Sequence, residues 1–255
     1  MKFIRFSSEN NCKSGILKNE SEVVEIRGDM YGEYEETNNI YKLDGMKILP
    51  PSSPSKIICV GLNYRDHAEE MNRQLPEAPM LFMKPNTAVL AHNEEIVYPS
   101  HMSKRVDYEG ELAIVIGRKS HMVEEQDAEN YIFGYTCIND ITARDLQKID
   151  IQFTRGKGFD TFAPFGPFIE TEISPENLGI KTLLNNEVKQ NSNTGNLIFK
   201  VKTLVSFISK IMTLLPGDII ATGTPAGIGP VKPGDRLEVR IDGIGSLVNY
   251  VAEVS

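Results

Sequence analysis

The segment Glu111-Leu-Ala-Ile-Val-Ile116 limits the fold more than any other stretch of the chain. Residues of an extended strand alternate between two faces, and here both faces are apolar, so the strand must be covered on both sides. A fold with layers above and below a central strand is therefore required, and 255 residues suffice to build it.

Other short runs share that character. Lys56–Val60 reads as a buried strand closed by Gly61, and Tyr131–Asn139, rich in β-branched and aromatic residues, leads into Asp140. Ile219–Ala221 feeds a tight loop, Gly223-Thr-Pro-Ala-Gly227, whose amides and hydroxyl can hold a carboxylate or simply turn the chain. Leu237–Ile241 and Leu247–Val251, joined by Asp242-Gly-Ile-Gly245, have the chemistry of a hairpin. Helical spacing appears in Leu204, Val205, Ile208, Ile211, Met212 and Leu215, with Thr203 as a cap and Pro216-Gly217 as a stop. A shorter helix is predicted over His67–Arg73, capped by Asp66, with Glu69 completing a capping-box spacing. Strands dominate and no βαβ alternation is visible, so the class is mainly β with some α, an α+β fold.

Residues 1–49 form a small β unit in this reading: strands at Lys2–Phe6, Ser14–Leu17 and Glu22–Ile26, then an acidic stretch, Gly32–Glu36. Pro50, Pro51 and Pro54 can continue neither ladder nor helix, and they mark a boundary before residues 50–255. No repeat or low-complexity tract is visible. The formal charge is −8 and basic residues do not cluster, which argues against nucleic acid as a partner. Neither a secretion signal nor a membrane span is expected. Cys12, Cys59 and Cys137 are odd in number and lie outside any C-x-x-C pattern, so neither a disulfide framework nor a thiolate zinc site is expected, and a reducing cytoplasm is the expected home.

Chemistry concentrates in Asp107-Tyr-Glu-Gly-Glu-Leu112. Glu109 and Glu111 are two apart, so an extended chain projects both from one face. Two carboxylates side by side repel, and burial adds several kcal/mol per uncompensated charge. A hard divalent cation, Mg²⁺ or Mn²⁺, relieves both penalties, with Asp140 as the third oxygen ligand. The spacing alone also suits a solvated strand start paired with lysines. His67 and Glu70 lie three apart on one helical face, where a carboxylate raises imidazole basicity and fixes its tautomer. Without further context the plainer reading is preferred: an ordinary first-turn residue and a surface charge. His92, His101 and His121 have no evident partners and are expected at the surface. Lys157, between Gly156 and Gly158, and with it Arg144 and Lys84, can supply the positive charge that an anionic substrate needs beside three carboxylates; a flexible, solvated loop is the plainer use of those glycines.

Together and in order, several stretches resemble the fumarylacetoacetate hydrolase family, in particular its two-part bacterial members of the acylpyruvase and 2-hydroxyhepta-2,4-diene-1,7-dioate isomerase type. They are Gly61–Glu70, Phe82-Met-Lys-Pro85, Asp107–Leu112, Asn139-Asp140 with Ala143–Gln147, Lys157–Asp160 and Thr222–Pro225. The resemblance implies a mixed β-roll or β-sandwich, a homodimer, and Mg²⁺ or Mn²⁺ on Glu109, Glu111 and Asp140, with Ca²⁺ as a non-native occupant. It implies that His67 and Glu70 are a catalytic dyad on a lid that orders with substrate, and that Lys157 faces the substrate. Tyr64, Lys84, Arg144, Gln147, Gly223 and Thr224 then belong to the substrate pocket.

The implied reaction starts from a small anionic 2-oxo acid whose head chelates the metal, which stabilises an enolate and makes the C3–C4 bond breakable. Hydrolysis of an acylpyruvate-type 2,4-dioxo acid is the leading expectation. The alternatives are isomerisation of an unsaturated 2-oxo diacid in aromatic catabolism and decarboxylation of oxaloacetate. A non-catalytic 2-oxo-acid binder would have no need of both His67 and Glu70. The chain departs from some acylpyruvate-cleaving and decarboxylating relatives at Leu62, where they carry arginine. It also lacks the larger N-terminal domain of the tyrosine-degrading fumarylacetoacetases, which argues against fumarylacetoacetate itself.

Overall fold

The computed structural model describes residues 1–254. Strands make up 45% of the chain and helices 16%, so the fold is mainly β. The central strand runs from Gly110 to Ile116 and is buried at every position. It pairs antiparallel with Ile132–Asn139 on one side and Ile219–Ala221 on the other. Its even-numbered residues Leu112, Ile114 and Ile116 share a core with Val239, Ile241 and Leu247. Ala113 and Val115 share a different core with Ile57, Ile138, Phe165 and Phe3. Both faces are thus covered, and each fully buried Leu or Ile contributes about 1.5–3 kcal/mol.

A twelve-stranded sheet carries this strand, with a five-stranded and a three-stranded sheet beside it. The path of the large sheet runs from the N-terminal strands through Lys2–Ser8 to Ala163–Glu170, Ile132–Asn139, Gly110–Ile116, Ile219–Ala221, Ile57–Gly61 and Met80–Lys84. The five-stranded sheet includes the expected hairpin, Arg236–Ile241 with Gly245–Glu253. Val106–Tyr108 lies in the smallest sheet, between Thr142–Ala143 and Gly229–Val231.

The first three N-terminal strands fall at Lys2–Ser8, Asn11–Leu17 and Glu22–Gly28. Beyond them a strand not foreseen from the sequence, Tyr34–Lys42, forms the sheet edge. Its polar sequence hides it, because an edge strand packs few side chains and leaves the rest in water. Lys2 and Phe3 pair with Glu170 and Ile169, so hydrogen bonding continues from the N-terminal strands into the large sheet.

Among the described residues four α-helices are present: α1, Arg65–Glu70; α2, Arg144–Ile149; α3, Thr154–Lys157; and α4, Val201–Ser209. Two differ from expectation. The first helix begins at Arg65, so Asp66 lies within it and accepts from the His67 amide at 2.7 Å rather than capping from outside. α4 starts before Thr203 and ends at Ser209, because Leu214 leaves the helical path to form a two-way backbone bridge with Ser120. His92 is also not a plain surface residue: its Nδ1 accepts the Val248 amide at 3.0 Å, and burial pushes its pKa down. Cys59 and Cys137 are buried free thiols and Cys12 is exposed. No helix among the described residues is long and apolar enough to cross a membrane.

Candidate active site

Glu111 shares the Ala113 and Val115 face of the central strand, and Glu109 precedes it by two residues. The neighbouring strand ends at Asn139, and the Asp140 amide donates to the Glu109 carbonyl at 2.8 Å, which brings the third acid alongside. One oxygen from each of Glu109, Glu111 and Asp140 lies within 4.8 Å of the other two, and all three residues are buried. The backbone around them is fixed from several directions. Asn139 Oδ1 accepts the Glu109 amide at 2.9 Å, and the Gly223 amide donates to Glu111 Oε2 at 2.7 Å. Gly223 has φ +98°, and a Cβ there would meet Asn63 Cβ at 2.8 Å, so only glycine suits this turn.

The electrostatics are asymmetric. Burial alone would raise the Glu109 pKa, but the charges of Lys157 and Arg144 outweigh it and hold the carboxyl well below its usual range. Burial pushes Glu111 well above the usual range, and the Asp140 and Glu109 charges push it further. Lys157 Nζ lies 2.9 Å from Glu109 Oε2 and 2.6 Å from Asp140 Oδ2; despite burial, those carboxylates raise its pKa. Lys84 Nζ is 2.7 Å from Asp140 Oδ1, but its hydrogen bonds go to the Ile141 and Lys157 carbonyls at 2.9 and 2.8 Å. Its pKa is lowered, chiefly by burial.

Asp140 Oδ1 therefore feels a nearby charge but has no aligned donor, and it is a buried oxygen without a hydrogen-bond partner. Oxygens about 2.1 Å from one Mg²⁺ lie within about 4.2 Å of each other, close to the observed spread. Hard oxygen donors and their spacing together fit a divalent cation.

Across the site, His67 Nδ1 lies 2.9 Å from Glu70 Oε2, and the Gly227 amide steadies both Glu70 oxygens at 3.1 and 3.3 Å. A carboxylate can only accept here, so Nδ1 carries the proton and the lone pair resides on Nε2. His67 is almost wholly buried and lines the same cavity as the three acids, a space of about 500 Å³.

Lys157, Arg144, Gln147 and Thr224 also line that cavity. Lys157 is not on a loose surface loop. It belongs to α3, and a Cβ on Gly156 would meet the Gln147 amide at 3.0 Å, so the glycine lets α3 close against α2. The Thr224 hydroxyl donates to the Gly110 carbonyl at 2.9 Å and accepts from Gln190 Nε2 at 2.8 Å, which secures the loop. Three expected pocket residues sit elsewhere. Tyr64 is fully buried in the core beside Leu197 and its hydroxyl has no partner; Lys84 lies behind Asp140; Gly223 contributes its amide to Glu111. Leu62 lines the cavity with an unusual φ of 45°. Asp107, Arg105 and Arg73 line it too and were not singled out from the sequence. The available signal was Asp107 itself, a lone acid inside a strand buried at all three positions.

Comparison with known proteins follows this geometry. Residues 56–252 match the model of the fumarylacetoacetate (FAA) hydrolase C-terminal region, and residues 1–51 match that of the Rv2993c-like N-terminal region. The chain is similar to the oxaloacetate tautomerase YisK of Bacillus subtilis, 43% identical over 226 residues, covering 83% of this chain and 75% of the relative. The structure of 2-hydroxyhepta-2,4-diene-1,7-dioate isomerase from Mycobacterium marinum is 40% identical with a TM-score of 0.93, covering 99% of this chain and 98% of the other. Maleylpyruvate hydrolase from Sphingobium sp. SYK-6, in complex with manganese(II) and pyruvate, is 29% identical with a TM-score of 0.84 and full coverage of both chains. With residues 56–252 matching its model, the chain belongs to the fumarylacetoacetate hydrolase family, whose enzymes act on small acids.

Proposed function

We propose that this chain catalyses proton transfer at C3 of a small 2-oxo acid, interconverting its keto and enol forms or shifting a double bond conjugated with them. The observation that carries this reading is His67, held 2.9 Å from Glu70, on the same cavity as Glu109, Glu111 and Asp140. Those three acids would hold Mg²⁺ or Mn²⁺, which supplies Lewis-acid polarisation of the 2-oxo group. His67 Nε2 takes the C3 proton, the C–H electron pair becomes the C2–C3 double bond, the C2=O π pair moves onto the oxygen, and that oxygen takes up the proton that the imidazolium gives back through water. Glu70 keeps the imidazole oriented and stabilises its charged form. Lys157, already positively charged at the cavity floor, offsets the substrate's negative charge. The tautomerase and isomerase relatives support this reading at higher identity than the hydrolase does.

Hydrolysis is a second reading, supported by the maleylpyruvate hydrolase and by the ability of the same imidazole to deprotonate water. In that case a C4 ketone is attacked, the C3–C4 bond breaks and C3 receives a proton. We also propose a cytoplasmic homodimer, tested by sedimentation of the purified chain.

Oxaloacetate in D₂O with Mg²⁺ tests the main reading. Loss of the enol absorbance and C3 deuterium incorporation are expected from the wild type. His67→Ala should lose about 10²–10⁴ of that rate while still binding metal. Stoichiometric pyruvate and acetate from acetylpyruvate, with no enzyme-dependent exchange, would move the conclusion to hydrolysis; CO₂ from oxaloacetate would move it to decarboxylation.

A further inference from the structure

Asp107 is fully buried, and both of its oxygens face guanidinium groups. Arg105 places Nε 2.9 Å from Oδ1 and Nη2 3.3 Å from Oδ2, while Arg144 places Nε 2.9 Å from Oδ2. One carboxylate thus holds two arginines on the wall of the catalytic cavity. They are not equivalent. Arg144 spends its remaining nitrogens on Gln147 Oε1, at 2.5 Å, and on Glu109 Oε1, and its side chain is 12% exposed. Arg105 is 48% exposed, and its Nη1 has no protein partner among the described residues. Arg73, just beyond α1, lines the same cavity, and its guanidinium makes no ion pair among the described residues.

The cavity is therefore charged at two places, with apolar side chains such as Leu62, Phe82, Phe153 and Ile228 also on its lining. Its floor sets Lys157 against Glu109 and Asp140 with Glu111 beside them, its wall carries Arg105 and Arg144 on one buried aspartate, and Arg73 lines it as well. A cation suits the floor and an anion suits the wall. We propose that Arg105 and Arg73 form the subsite for a second, distal carboxylate of the substrate, with Asp107 as the positioning residue that aims Arg105. This rests on the reading that the head of a 2-oxo acid binds over the acidic floor. It adds the residues that distinguish a diacid from a monoacid.

The experiment is a calorimetric titration of the Mg²⁺-loaded chain with 2-oxopentanoate and with 2-oxoglutarate. These acids have equal chain length and differ by a methyl against a carboxylate at the far end. The wild type is expected to favour 2-oxoglutarate by about tenfold or more, the scale of one charge-assisted contact. Arg105→Gln and Arg73→Gln, both at exposed positions, should each remove much of that preference and leave 2-oxopentanoate within about twofold. Asp107→Asn, which also releases Arg144, should lose at least as much preference as Arg105→Gln, and adding Arg105→Gln to it should remove no further preference, because Arg105 acts through its place on Asp107. Equal wild-type affinity for the two acids, or variants that weaken both acids alike, would overturn the proposal. C3 exchange is read in parallel. If exchange is absent but the preference persists, the catalytic reading falls and the subsite stands; exchange without preference gives the reverse.

Discussion

Glu109 and Glu111 are two residues apart on one chain, yet their environments drive them in opposite directions. Lys157 and Arg144 favour the ionised form of the first, whereas burial beside two other acids favours the protonated form of the second. A divalent cation needs the ionised form of both, so any proton that Glu111 carries must leave when the cation binds. The sign is fixed: below the raised Glu111 pKa, metal affinity climbs with pH by up to about tenfold per unit, and it levels off above that pKa. Calorimetry in buffers of different ionisation enthalpy should show a proton released on Mg²⁺ binding, and a buffer-independent heat would contradict the assignment. The acids were legible in the sequence because strand parity alone puts them on one face. Arg105 and Arg73 were not, because no local periodicity tells which side chains from separate segments share a cavity.

At the scale of elements, α1 carries the proposed base. It is six residues long, no side chain caps it, and only His67 and Ala68 are buried. Its tether is Asp66, which accepts its own neighbour's amide and the hydroxyl of Ser192, 126 residues away. Asp66→Ala should cost about 1 kcal/mol in stability, as for a lost helix-end bond, yet lower turnover far more than it raises KM, because His67 loses its placement. Chemical denaturation beside steady-state kinetics checks this, and unchanged turnover would show that α1 needs no such tether. The sequence marked Asp66 as special through its capping-box spacing but assigned it the wrong bond. The true partner comes from a distant strand. The same cause shortened α4, whose apolar spacing continues to Leu215 while Leu214 is claimed by Ser120.

For the molecule as a whole, the proline-rich segment after Leu49 divides the sequence but not the sheet. The Lys2–Ser8 strand pairs with Ala163–Glu170, and Phe3 joins the core behind the central strand. We propose that residues 1–49 are a unit in sequence terms that depends on residues 50–255 for its core. A chain beginning at Pro50 should expose the edge of Ala163–Glu170 and associate through it. Size-exclusion chromatography at rising concentration checks this, and a stable, monodisperse fragment would show that the edge needs no cover. The mainly β class was visible from apolar runs. The pairing of Phe3 with Ile169 was not, since register between strands so distant in sequence leaves no local trace.

The central strand, sealed between two cores and hydrogen-bonded on both sides, has a kinetic consequence. Its amides, Glu111 to Ile116, should exchange with deuterium only when the whole molecule opens, whereas those of Arg65–Glu70 should exchange through frequent local excursions. The ion seat and the proton carrier would thus run on separate clocks: the seat keeps its shape through many turnovers, while the carrier swings within each one.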